Sequence, residues 1–157
     1  MGVGVITVRP MTAADLDEVV LLEQASQPRP WSRQVFLDEL SAENRAYLVA
    51  GDEGIDGFGG VMVIGDEAHV TNLLVASHRR RRGLGRALMS GLVEAGIAAG
   101  ARHLTLEVRS RNHPARSMYA ALGLAPVGIR RNYYGDDDAV IMWAHDIDRP
   151  EYLESLR

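Results

Sequence analysis

The sequence predicts an α+β domain, one mixed and mostly antiparallel sheet flanked by helices. Hydrophobic residues make up 46% and charged residues 24% of 157 positions, a balance that suits one folded domain and argues against disorder. Runs of period two alternate with runs of helical spacing, in the order β-α-α-β-β-β-α-β-α-β-β. The junctions carry turn and cap chemistry, with no repeat, low-complexity tract or linker between them. The expected domain is 1–157, with a core at about 5–148 and a short tail at 149–157.

Val3 to Val8 forms a first, weak strand candidate. Thr12 with Asp15 is a variant capping box, and Leu16, Val19, Val20 and Glu23 continue at helical spacing until Gln27-Pro28-Arg29-Pro30 breaks the helix. Ser32 is placed to cap a second helix, with Trp31 and Phe36 forming a hydrophobic staple across it. Three β-rich runs follow, Tyr47 to Ala50, Phe58 to Ile64 and Ala68 to Val75. They are separated by Gly51-Asp52-Glu53-Gly54 and Gly65-Asp66, and read as an antiparallel meander. Arg86 to Ala99 carries Leu88, Leu92, Ala95 and Ala99 on one helical side and stops at Gly100. Leu104 to Val108 is a short strand. Pro114, at the favoured first helical position, opens a helix that Gly123 closes. Val127 to Ile129 and Ala139 to His145 are the last strands, around the polar loop Arg130 to Asp138.

Several classes of chemistry are excluded. With no Cys there is no disulfide, thiolate metal site or covalent Cys intermediate. All 17 basic residues are Arg, so no Lys nucleophile or Schiff base exists either. A net charge of −4 gives no reason to expect direct nucleic-acid binding. The N-terminus lacks the basic region of a signal peptide, and no apolar run approaches the roughly 18 residues of a membrane span. A cytoplasmic protein without membrane contact, monomeric or weakly dimeric, is expected. No residues show metal-ligand spacing, and Asp136-Asp137-Asp138 reads as a solvated acidic loop or an attractor for a basic peptide.

The segment from Asn72 through Arg79-Arg80-Arg81-Arg82-Gly83-Leu84-Gly85-Arg86 joins a strand to a helix through a glycine-bearing turn. Such a junction suits an anion, because the first turn of a helix offers unpaired N–H groups and Gly admits close approach. It is neither a dinucleotide fingerprint nor a P-loop. Taken alone, the four arginines read as a solvated basic turn.

Arg80-x-x-Gly83-x-Gly85 resembles the Q/R-x-x-G-x-G/A signature of GNAT acetyltransferases, placed between the fourth strand and third helix as in that superfamily. The element order is similar from end to end. The resemblance implies that Arg80, Arg81, Arg82, Gly83, Leu84, Gly85 and Arg86 hold the pyrophosphate of acetyl-CoA. It also implies that Leu73, Leu74 and Val75 run beside the pantetheine arm.

Glu107, on the polar side of Leu104 to Arg109, alone would read as the wet face of a strand, paired with Arg109. Tyr119 would read as a core aromatic and Asn112 as a cap. The run Leu106-Glu107-Val108-Arg109-x-x-Asn112, then Ala115, Met118-Tyr119 and Leu122-Gly123, resembles the RimI-type ribosomal-protein-alanine N-acetyltransferases. So do Pro30-Trp31-Ser32 and Arg131-Asn132-Tyr133-Tyr134. Leu124 departs from the usual Phe, Met118 from an aliphatic residue, and Arg81-Arg82 make the loop unusually basic. The resemblance implies Glu107 as general base, Tyr119 as general acid and Asn112 as a CoA contact. The acceptor it implies is a protein N-terminus, in particular a ribosomal protein beginning with alanine. Trp31, Tyr133 and Tyr134 are candidates for the peptide groove.

The chemistry agrees with such an acceptor. An α-amine, with pKa near 7.7–8.0, costs about 1 kcal/mol to deprotonate near neutrality, against roughly 4–5 for a Lys side chain. One carboxylate, acting through water, is adequate for the first task and strained for the second. With no Cys, direct attack in a ternary complex is the expected route, with a backbone N–H of the Leu74-Val75 strand facing the developing oxyanion.

Overall fold

A computed structural model describes residues 6–77 and 83–156. The chain begins with strand β1 (Thr7–Pro10) and a 3-10 turn (Ala13–Asp15), followed by helices α1 (Leu16–Ser26) and α2 (Arg33–Ser41). Strands β2 (Arg45–Gly51), β3 (Gly57–Ile64) and β4 (Glu67–Val75) form the meander. Helix α3 (Leu84–Ala98), strand β5 (His103–Arg109), helix α4 (His113–Ala121), strands β6 (Ala125–Arg130) and β7 (Ala139–His145), and helix α5 (Pro150–Ser155) complete it. The seven strands make one sheet in the order β1-β2-β3-β4-β5-β7-β6, and only the β4–β5 pair is parallel.

The local signals act as expected. The Asp15 carboxylate accepts the Thr12 N–H at 2.8 Å, but the capped segment starts as a 3-10 turn before becoming α1. Ser32 Oγ accepts the Val35 N–H at 3.2 Å, and the Trp31 and Phe36 rings meet edge-on at 5.3 Å. Asn112 caps α4 by accepting the Ala115 N–H at 3.3 Å, so the helix begins at His113 and Pro114 occupies its second position. Residues 150–155, expected as tail, fold as α5. Leu156 is buried beside it, and the Tyr152 hydroxyl donates to the Leu122 carbonyl at 2.8 Å.

The sheet has two differently covered faces. Helix α3 lies on one, where Met89, Leu92 and Val93 pack with Leu104, Leu106 and Val108 of β5 and with Tyr119 and Leu122 of α4 and its end. Helices α1 and α2 lie on the other, where Leu16, Val19 and Phe36 pack on Tyr47, Val49, Phe58 and Leu74. Phe36 is fully buried and also meets Phe58 edge-on at 5.6 Å. Phe36→Ala is expected to lower stability by about 3–5 kcal/mol, measured by denaturant midpoint, since it removes a fully buried ring from the α1–α2 core.

Asp15 holds the start of α1 to β1. It is buried, and Arg9 meets both its oxygens at 2.8 Å. The hydrogen bond from Arg9 is the main cause that depresses the Asp15 carboxyl to about 2, against the opposing effect of burial. A depressed carboxyl stabilises the fold fully above its unfolded value and loses that contribution as pH falls through the folded one. Stability should therefore drop by on the order of 1–2 kcal/mol between about pH 4 and pH 2, discounted because Arg9 is half-exposed. Urea unfolding of Asp15→Asn across that range should show the step removed.

Candidate active site

The sheet opens at its centre. Strands β4 and β5 pair only from Glu67–His69 against His103–Thr105, although β4 runs on to Val75 and β5 to Arg109. The divergence follows a β-bulge. Gly60 pairs with Asn72 but Val61 pairs with Val70, which leaves Thr71 as an extra residue on β4. A bulge bends its strand and increases twist, so the two parallel strands part just beyond it.

A cavity of about 340 Å³ occupies this opening. Thr71, Asn72, Leu73 and Leu74 line it from β4, and Leu106, Glu107, Val108 and Arg109 from β5. Glu23 and Trp31 contribute from α1 and the segment before α2, Asn112 and Tyr119 from α4, and Tyr134 from the loop after β6. The cavity joins both faces of the sheet. Leu106 and Val108 belong to the α3 side with Tyr119, so the alternation of β5 turns Glu107 toward the α1–α2 side.

Glu107 stands where two late-loop residues reach it. Its Oε1 lies 3.5 Å from Arg130 Nε, and its negative charge beside the Tyr133 hydroxyl, with some burial, holds the Tyr133 phenol above its ordinary pKa. The partner expected for Glu107, Arg109, goes elsewhere. It pairs with Asp136 at 2.7 Å and stacks over the Tyr134 ring at 4.3 Å.

Tyr119 is buried, and burial, helped by nearby Tyr134, pushes its phenol up to about 12. The hydroxyl therefore stays protonated throughout the neutral range. Tyr133, one of the groove candidates, is half-exposed, lies outside the cavity lining, and meets Tyr134 edge-on at 5.0 Å. It touches Glu107 from the rim, whereas Trp31 and Tyr134 face the cavity itself.

The acidic run proves to organise its own loop. Asp137 accepts the Arg111 N–H at 2.9 Å, Asp138 accepts the Asn132 N–H at 2.8 Å, and Asp136 holds Arg109. These bonds position Tyr133 and Tyr134 rather than presenting free carboxylates.

At the other end, β4 leads toward α3. Gly83 caps α3 with φ of +82°, a left-handed conformation that favours Gly, and the Gly83 carbonyl receives the helical bond of Ala87. The N–H groups of Leu84, Gly85 and Arg86 thus precede the first helical bond and point off the helix end. A Cβ on Gly85 would sit 3.0 Å from Met118 Sδ and 3.8 Å from Val75 Cγ2, so Gly lets this end lie against β4 and α4. The Arg86 guanidinium does not face that end. It donates to the Ser155 carbonyl at 3.0 Å. Arg80, Arg81 and Arg82 lie outside the described residues. The described parts fit an acyl-CoA: donors for an anion sit at one end of a path that β4 continues into the cavity.

Glu23 and Asn72 are among the polar residues of the cavity that were not singled out as functional in the sequence. Glu23 falls in register with the apolar positions of α1, and Asn72 interrupts an otherwise apolar strand end. A charged residue in a core register is the signal that marks the first. Among the described residues, no group of three His, Cys, Asp or Glu is placed to hold a metal ion, and no helix is long and apolar enough to cross a membrane.

Comparison with known proteins gives a consistent result. The model of the acetyltransferase (GNAT) family matches residues 16–124. The Salmonella typhimurium ribosomal protein bS18-alanine N-acetyltransferase is 34% identical over 140 residues, 87% of this chain and 95% of that protein. A Bacillus subtilis relative, which bears the same activity as a provisional name, is 40% identical over 87% of this chain and 93% of its own. The crystal structure of the Escherichia coli ribosomal-protein-S18-alanine N-acetyltransferase superposes with a TM-score of 0.81 at 33% identity, covering 90% of this chain and 94% of the other.

Proposed function

We propose, from the premise that this chain belongs to the GNAT acetyltransferase family, that it acetylates the N-terminal alanine of a small-subunit ribosomal protein. Acetyl-CoA is the co-substrate, and ribosomal protein bS18, on which the named relatives act, is the acceptor to test first. Such an acceptor sets the work in the cytoplasm. One chain supplies every residue assigned here, which suits a monomer or weak dimer, and 1–157 acts as one domain.

The observation that carries this reading is the cavity through the sheet, with Glu107 on one face and Tyr119 on the other. The N–H groups at Leu84, Gly85 and Arg86, with the arginine loop before them, hold the pyrophosphate, while Leu73, Leu74 and Val75 guide the pantetheine arm. Asn112, at the cap of α4, borders the same path. The acceptor amine enters from the α1–α2 side, past Trp31 and Tyr134, with Tyr133 at the rim. Glu107 takes the proton from the amine, directly or through one water, and the freed nitrogen pair attacks the thioester carbonyl. The tetrahedral nitrogen then loses its second proton to water in the cavity, and as the C–S bond breaks the sulfur leaves as a thiolate that Tyr119 hydrogen-bonds from the opposite face. A β4 backbone N–H near Leu74 supports the oxyanion.

Mass spectrometry of two peptides incubated with enzyme and acetyl-CoA tests the reading. One carries a free N-terminal alanine and no Lys; the other has a blocked N-terminus and an internal Lys. A single acetyl group gained by the first alone is the expected result. Transfer to neither, with acetyl-CoA bound, would move the acceptor to a small amine or leave an acyl-CoA-binding module.

A further inference from the structure

The acceptor side of the cavity holds a carboxylate that the reaction above does not use. Glu23, on α1, is 4% exposed and lines the same cavity as Glu107. Its Oε2 accepts the Trp31 N–H at 2.9 Å. Among the described residues no cation pairs with it: Arg29, on the same wall, is exposed and makes no ion pair with Glu23. A buried carboxylate without a cation is costly, and a cavity wall is where a ligand can supply one. Asn72 adds to the imbalance. It lines the cavity too, and its side-chain oxygen is buried with no hydrogen-bond donor. Glu23 and Asn72 thus set two buried acceptors on this cavity, the complement of a primary ammonium followed by an amide N–H.

We propose that Glu23 is the counter-charge for the acceptor: its carboxylate receives the incoming α-ammonium and positions it for proton loss to Glu107. The proposal rests on the N-terminal acceptor reading given above. At neutral pH an α-amine, with pKa of about 7.7–8.0, arrives mostly protonated, so the first species to be bound is a cation. Burial raises the Glu23 carboxyl above its ordinary value, and an ammonium in contact would restore the ionised form. Glu23 is therefore a positioning residue; the Trp31 N–H orients it, and Glu107 performs the proton transfer.

A purely structural Glu23, present only to hold Trp31, makes a different prediction. Glu23→Gln keeps an oxygen able to accept the Trp31 N–H but removes the charge. For the full chain acting on an N-terminal alanine peptide, it should raise peptide KM at least tenfold. The change in kcat should be small, and acetyl-CoA affinity and melting temperature should be unaltered. Glu23→Asp, shorter but charged, should recover part of the loss. A peptide KM unchanged in Glu23→Gln overturns the proposal.

A second measurement needs only the wild type. A des-amino version of the peptide, with propionyl in place of alanyl, should inhibit at least tenfold more weakly than the amino peptide binds. Equal affinity overturns the proposal even if a variant fails to fold. No acetyl transfer from wild type to the amino peptide instead overturns the acceptor reading, and this proposal with it.

Discussion

Glu107→Gln is expected to lower kcat for an N-terminal alanine peptide by about 10²–10⁴-fold, the usual worth of a positioned general base. Acetyl-CoA affinity should hold, because Glu107 lies on the α1–α2 side of the sheet, whereas the proposed CoA path runs from the start of α3 along β4. The amide keeps the size of the carboxylate, and the Tyr133–Tyr134 loop is held by Asp136, Asp137 and Asp138, so loop placement is preserved. What it loses is the capacity to take a proton. The deficit should therefore depend on pH. Below the α-amine pKa of about 7.7–8.0 most acceptor molecules need deprotonation, and above it most do not. The ratio of wild-type to variant rate should narrow as pH rises past about 8 without closing, because the nitrogen must still shed a proton after attack. Rapid-quench rates at several pH values would check this. A variant with wild-type kcat near neutrality would remove Glu107 from the mechanism.

What the sequence made legible, and what it did not, divides along the range of the forces. The Thr12–Asp15 box, the Ser32 cap and the Trp31–Phe36 staple are interactions within a few residues, and all three are present. Gly123 ends α4 with φ of +91° and Gly65 turns the β3–β4 hairpin with φ of +60°, both positions where a side chain would be strained. Strand order is a different matter. That β7 inserts between β5 and β6, and that β4 and β5 run parallel for three pairs and then part, depends on contacts distant in sequence. No local pattern announces the bulge at Thr71, yet that one residue opens the cavity.

The site divides in the same way. Glu107 and Tyr119, which both line the cavity, were singled out through resemblance and not through their surroundings, since a strand Glu and a helix Tyr are ordinary residues. Glu23 was hidden by its register: four residues after Val19, it falls on the buried stripe of α1, where only its charge is out of place. The Asp136–Asp138 run is a solvated loop, as its composition suggests, with a framing role that composition does not show. Hydrogen bonds to Arg109, Arg111 and Asn132 make it the frame of the Tyr133–Tyr134 loop.

Tyr119→Phe is the second change with a large expected effect, and the reason differs from that for Glu107. A phenol of ordinary pKa, about 10, would face a thiol of about 8.5, so full proton transfer to the departing sulfur would be uphill by about 2 kcal/mol. Burial moves the Tyr119 phenol up to about 12, which makes that transfer more uphill still. The group is thus a poor donor of a whole proton but a durable donor of a hydrogen bond, because it stays neutral until well into the alkaline range. In the proposed mechanism its contribution lies in stabilising charge on sulfur as the C–S bond lengthens, in a site where burial strengthens such bonds. Loss of the hydroxyl should lower kcat by about 10–10³-fold and leave acetyl-CoA affinity within about threefold, since the bond tightens mainly in the transition state. It should also leave the fold intact, since the ring keeps its place among Leu106, Val108 and Leu122. The pH profile separates the two roles. A proton donor of depressed pKa would give wild-type kcat an alkaline limb near about 8–9 that Tyr119→Phe abolishes. A raised pKa predicts no limb from Tyr119 below about 11, so the wild-type and Phe profiles should run parallel across that range.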